Sequence, residues 1–162
     1  CNRADLRSQR SALDRELNRR ETEYELSRHV TEGRSKPTKP SAEDCRLRET
    51  ILTADRDAIR GLIERTGFFR PDEIAIAIEL IDERLVRGDA SGYYFVIAEL
   101  EASIVGYACY GPIGCTLGSF DLYWIAVDPA FQHGGLGRLV MGAVEASITK
   151  VNGRRLYVDT SG

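Results

Sequence analysis

The stretch Ile125-Ala-Val-Asp-Pro-Ala-Phe-Gln-His-Gly-Gly-Leu-Gly-Arg138 constrains the fold of this chain more than any other. An apolar, strand-like run stops at Asp128-Pro129, a short turn follows, and a helical pattern begins after Gln132-His-Gly-Gly-Leu-Gly137. Small residues where a strand runs into a helix let backbone N–H groups approach and hold a phosphate, helped by the positive end of the helix dipole. The expectation is a strand–turn–helix unit that takes a phosphate-bearing ligand.

The rest of the pattern sets that unit in a larger frame. Arg46 to Leu52 reads as a strand, and Thr53 suits the N-cap of a helix carrying Ile59, Leu62 and Ile63 that ends at Gly67. Pro71 opens a second helix with Asp72 and Glu73 at its positive end, Ile74, Ile78, Ile81 and Leu85 on one face, and Gly88 as its stop. Strands are expected at Tyr93–Leu100 and Ser103–Tyr110, joined by a hairpin at Glu101-Ala102, and at Phe120–Val127. After the glycines, Leu136, Val140, Val144 and Ile148 form a stripe extended by Val151, and Arg155–Asp159 is a short last strand. The order is strand, two helices, three strands, helix, strand: a mixed α/β layer of α+β type, antiparallel at first and closed by a strand–helix–strand unit. Nothing follows the last strand to cover it, so the C-terminal part of the fold is expected to be missing.

Residues 1–44 differ from the remainder, with ten Lys/Arg, nine Asp/Glu and few apolar positions. They read as a solvated helix or disordered arm, with weak coiled-coil association as the other reading; Ser35-Lys-Pro-Thr-Lys-Pro-Ser41 is a linker by composition. The globular domain is placed at 45–162. The chain opens on Cys1 and has Met141 as its one methionine, which reads as a fragment. A net charge of −3 gives no sign of a nucleic-acid surface. No apolar run nears the roughly 18 residues of a membrane span, and no signal peptide is visible. Cys1, Cys45, Cys109 and Cys115 lack metal-ligand spacing and read as buried free thiols of a reducing, cytoplasmic compartment, with no metal site expected.

Three ligand classes compete for the glycine loop. A P-loop requires Gly-Lys-Ser/Thr, where this chain has Gly137-Arg-Leu. A dinucleotide fingerprint counted from Gly135 meets Val140 where a small residue is needed. Gln132-x-x-Gly135-x-Gly137, with Ile125-Ala-Val-Asp-Pro before it and the amphipathic helix after it, resembles the GNAT superfamily of acyl-CoA N-acyltransferases. The element order from Cys45 onward is similar to that family's, without its last helix and two strands.

The resemblance implies acetyl-CoA as co-substrate. Backbone groups from His133 to Arg138 (His133, Gly134, Gly135, Leu136, Gly137 and Arg138) would meet the pyrophosphate, and the strand edge at Ile125, Ala126 and Val127 would hold the pantetheine arm. A bulge in that strand would open the cleft. The implied reaction is N-acetylation of an amine by direct attack in a ternary complex, without a covalent enzyme intermediate. Asp121 is the candidate general base, about 13 Å before Ile125 at a strand rise near 3.3 Å, and on its face by strict alternation. Tyr123 and Trp124 are acceptor-pocket or core residues; Glu73 and Glu79 are acceptor-side or solvated; Thr160 and Ser161 would touch substrate or cap a further helix. The family's general acid is a Tyr expected beyond Gly162. The partner implied is a small-molecule or peptide amine, with no nucleic acid and no membrane, and homodimerisation is left open. A non-catalytic acyl-CoA sensor or interaction domain on the same fold is the alternative.

Overall fold

The computed structural model describes residues 42–159; the arm and linker readings, Cys1, Thr160 and Ser161 lie outside the described residues. The elements are β1 Arg46–Arg48, α1 Asp55–Thr66, α2 Pro71–Arg87, β2 Tyr94–Leu100, β3 Ser103–Pro112, β4 Ser119–Val127, α3 Leu136–Lys150 and β5 Arg155–Val158. The five strands form one sheet in sequence order, antiparallel from β1 to β4 and parallel between β4 and β5.

Strand alternation divides the core in two. Phe95, Ile97 and Tyr107 face one side, where Ile59, Leu62 and Ile63 of α1 and Ile74, Ile78 and Ile81 of α2 cover them. Val96, Ala98, Val105 and Ala108 face the other, against Leu136, Val140, Val144 and Ile148 of α3. Neighbouring side chains of a strand point to opposite faces, so a sheet covered on both sides needs apolar residues at consecutive positions. β3 follows that rule, with every residue from Ile104 to Gly111 buried.

Several boundaries differ from the expected ones, each for a local reason. β1 ends at Arg48 rather than Leu52. The Arg48 guanidinium turns back onto Asp55, with Nη1 and Nη2 at 2.8 and 2.6 Å from the two carboxylate oxygens, and its Nε donates to Glu99. The N-cap of α1 is Ala54, not Thr53, and makes no side-chain cap. Asp55, the first helical residue, accepts the Leu52 N–H of the preceding segment at 2.6 Å and so fixes the entry to the helix. Val151 lies past the end of α3 and is 64% exposed, so it is not part of the core stripe. Among the described cysteines, Cys109 is buried, Cys45 half-buried and Cys115 exposed, which corrects the expectation of uniformly buried thiols. The hairpin at Glu101-Ala102 holds: both residues have positive φ (47° and 64°), as a two-residue turn joining twisted strands requires.

Candidate functional site: the opening beside β4

The site begins where β4 leaves one of its neighbours. From Ser119 to Leu122 β4 pairs with β5; among the described residues, Tyr123 to Val127 have no strand on that side. On the β3 side the register jumps between Cys109↔Trp124 and Tyr110↔Leu122, leaving Tyr123 as the extra residue of a β-bulge. A bulge bends its strand and sharpens the local twist. Ile125, Ala126 and Val127 stay paired to Ala108, Tyr107 and Gly106 on one side and are open on the other.

The bulge also resets the alternation. Before it, Phe120 and Leu122 pack on the α3 side; after it, Ile125 and Val127 do. Asp121 therefore points to the α1/α2 side with Trp124 and Ala126, and the expectation that it shares a face with Ile125 and Val127 is corrected. Asp121 lies in the sheet between Gly111 of β3 and Tyr157 of β5. Its neighbour Tyr123 meets Tyr93 edge-on at 5.6 Å. The Tyr123 phenol is held above its ordinary range, first by burial and then by the negative charge of Asp121.

Past Val127 the chain is clamped. The Asp128 N–H donates to Val105 O at 2.9 Å, and Asp128 Oδ1 accepts from the Ala130 N–H at 3.0 Å. Its other oxygen receives Arg65 of α1, Nε at 2.9 Å and Nη2 at 2.7 Å. A short 3-10 turn, Pro129–Phe131, follows, and the Gln132 side-chain amide returns to Val127 O at 3.3 Å. The sequence placed Gln132 in the loop signature; the structure gives it this tie to the strand end.

His133 and Gly135 both take the left-handed conformation, with φ of 66° and 84°. Gly135 is the N-cap of α3 and offers no side chain to its first N–H groups. The first helical bond here runs from Leu139 N to Gly135 O at 3.0 Å, so the N–H groups of Leu136, Gly137 and Arg138 precede the internal ladder of the helix. His133, Gly134, Gly135 and Arg138 are exposed, whereas Leu136 is buried beneath the loop. Such a cluster of outward N–H groups at a helix start favours an anion.

A cleft of about 480 Å³ lies beside the bulge. On the helix side Phe68, Phe69 and Glu73 wall it, and Tyr123, Trp124 and Ile125 of β4 form its floor. Val158 and Asp159, at the end of β5, complete it. Phe69 meets Trp124 edge-on, with ring centroids 4.8 Å apart. The Glu73 carboxylate accepts the Arg70 N–H at 2.7 Å, closing the first turn of α2. Glu79 is exposed on α2 and does not line the cleft. Sequence reasoning missed Phe68, Phe69, Asp159 and Arg65. Asp159 was legible as the residue at the carboxyl end of a strand parallel to β4, where open sheets place ligands; the Arg65–Asp128 contact spans too much sequence to be seen in a pattern. A second cavity of about 330 Å³, between Tyr94, Tyr110 and Ser147, contains none of the residues expected at the site.

Comparison with known proteins accords with this geometry. The chain is 30% identical over 119 residues to the mycothiol acetyltransferase of Amycolatopsis mediterranei (strain U-32), covering 68% of this chain and 39% of the length of that curated relative. A crystal structure of a protein from Desulfovibrio desulfuricans, assigned to the GNAT family, is 46% identical, with a TM-score of 0.71 over 73% of this chain and 74% of that one. A GNAT acetyltransferase from Brucella melitensis, solved with acetyl-CoA, shares the fold at 17% identity, with a TM-score of 0.56 over 73% of this chain and 77% of that one. The model of the acetyltransferase (GNAT) family matches residues 52–161, and the chain belongs to that family.

Proposed function

We propose that this chain is an acyl-CoA-dependent N-acetyltransferase domain that moves the acetyl group of acetyl-CoA to an amine in a ternary complex. The observation that carries the proposal is continuity. The open edge of β4 at Ile125–Val127 leads through a clamped turn into the unpaired N–H groups at the start of α3. One end suits an extended arm bearing amides and the other a pyrophosphate. Acetyl-CoA supplies an activated thioester carbonyl for the amine to attack.

In this reading Ile125, Ala126 and Val127 hold the pantetheine arm as a further strand would be held. His133, Gly134, Gly135, Leu136, Gly137 and Arg138 meet the pyrophosphate, Arg138 adding a charge-assisted contact. The helix start contributes about 0.3–1 kcal/mol per favourable charge, rising to about 2 when partly buried. Backbone N–H groups of the opened strand stabilise the oxyanion that develops at the thioester. Holding amine and thioester together provides the larger part of the acceleration.

Asp121 is proposed as the base. It is set back from the cleft lining, so it takes the ammonium proton through an ordered water beside Tyr123. Glu73 lines the cleft directly, but its oxygens hold the Arg70 N–H and face the Arg70 guanidinium at 3.5 Å. That structural commitment favours Asp121.

The test is product formation. The full chain, acetyl-CoA and a broad amine panel are expected to release free CoA thiol together with N-acetylated amine, read by thiol titration and mass spectrometry. Binding of CoA without thiol release from any amine would contradict the proposal and support a sensor on the same fold.

A further inference from the structure

We infer that the acceptor is a primary amine carried on an aromatic or similarly flat apolar body; this rests on the proposed acetyl transfer and specifies its second substrate. The cleft beside the bulge joins two chemistries. Phe68, Phe69, Tyr123 and Trp124 present aromatic surface to it, and Phe68 is 82% exposed with no role in the core. Glu73 and Asp159 add carboxylates, and among the described residues no Lys or Arg lines it. Arg70 offsets part of that charge from outside, at 3.5 Å from Glu73 and 3.6 Å from Asp72.

An ammonium group is attracted by the carboxylates and by the faces of aromatic rings. A flat apolar body buries against Phe68 and the Phe69–Trp124 pair. A polyhydroxylated amine would leave hydroxyls facing Phe68 and Phe69, whose rings offer no hydrogen bonds. The carboxylates therefore favour an ammonium, and the apolar wall favours one carried on a flat apolar body over amines without such a body, amino sugars and extended polyamines among them.

The experiment compares phenethylamine and tryptamine with spermidine and glucosamine as acceptors for the full chain. The aromatic amines are expected to have kcat/KM at least about tenfold higher. Phe68→Ala lowers that advantage about tenfold and leaves the calorimetric affinity for CoA unchanged, since Phe68 is not among the residues assigned to the coenzyme. Glu73→Gln and Asp159→Asn raise the KM of every amine; Gln at 73 keeps an acceptor for the Arg70 N–H. Preference for spermidine or glucosamine, or an unaltered profile in Phe68→Ala, overturns the inference. Calorimetry of phenethylamine against the CoA-saturated chain gives a second readout. Binding weakened by Phe68→Ala, without turnover, upholds the pocket and refutes acetyl transfer; no binding to the CoA-loaded chain refutes the pocket. Failure of CoA itself to bind overturns the proposed function on which both rest.

Discussion

Tyr123 is the residue on which β4 changes its alternation, and it decides what Asp121 can reach. With the bulge, Asp121 is turned to the α1/α2 side, which is also the side of Phe69 and Trp124. Asp121→Asn is therefore expected to lower kcat by about 10²–10⁴ while CoA affinity, measured by calorimetry, stays unchanged. A fall in CoA affinity of similar size would place Asp121 in binding rather than in proton transfer. Gly111 shows how tightly this corner is built. A Cβ there would stand 2.3 Å from the Gly92 carbonyl oxygen and 3.0 Å from the Tyr123 ring. Gly111→Ala is expected to cost about 1–3 kcal/mol, read as a lower urea midpoint at constant slope. An unshifted midpoint would show that Tyr123 and the Gly92 turn move aside freely.

At the scale of elements, the contact that matters most is between α1 and the end of β4. Arg65 is 54% exposed in its side chain, so its pair with Asp128 adds little to stability by itself. Its consequence is geometric: Asp128 also holds the Ala130 N–H and so sets the direction in which the chain enters the glycine loop. Arg65→Gln is expected to weaken CoA binding severalfold and to shift the thermal midpoint by only a few degrees, compared by calorimetry and melting. Equal affinity in the two proteins would reduce the pair to decoration. This contact also marks the boundary of what the sequence reveals. The helices were legible because Ile74, Ile78 and Ile81, or Val140, Val144 and Ile148, repeat at the helical period. The glycine loop was legible because Pro129 and the glycines interrupt two strong patterns. β1 was misjudged because Arg48 stops it through a bond to Asp55, a tertiary event in a run that alternates well enough to continue. Strict alternation gave the wrong face for Asp121; the family resemblance implied a bulge in this strand, but no residue type marks Tyr123 as its place.

Across the described residues as a whole, one sheet is covered by α1 and α2 on one face and α3 on the other, and the site opens at the seam between β4 and β5. The same covering buries groups that prefer water when ionised. Burial is the first cause that raises the pKa of Tyr107, Cys109, Tyr110 and Tyr123. Above the ordinary values, 9.0 for the thiol and 10.0 for the phenols, an unfolded chain releases protons that the folded chain keeps. The unfolded state then binds fewer protons, so stability falls as pH rises. It is expected to be insensitive to these groups below about pH 9 and to decline from there toward about pH 11, with Cys109→Ala removing the earliest part of the decline. Urea unfolding across that range checks it, and flat or rising stability would contradict the burial of these groups.

Whether the loop at the start of α3 binds the pyrophosphate of coenzyme A is decided by titration calorimetry of CoA into the full chain and its Gly135→Glu variant. Position 135 has a φ of 84° and no atom within 3.4 Å of an added Cβ, so the variant strains the loop and adds a carboxylate with room at its Cβ. The unaltered chain is expected to bind CoA and Gly135→Glu to bind it at least about tenfold more weakly, from like charge at the helix start and distortion of the cradle. Gly135→Asn, neutral and tolerant of this conformation, should lie between them. Equal affinity in all three proteins would contradict binding by this loop.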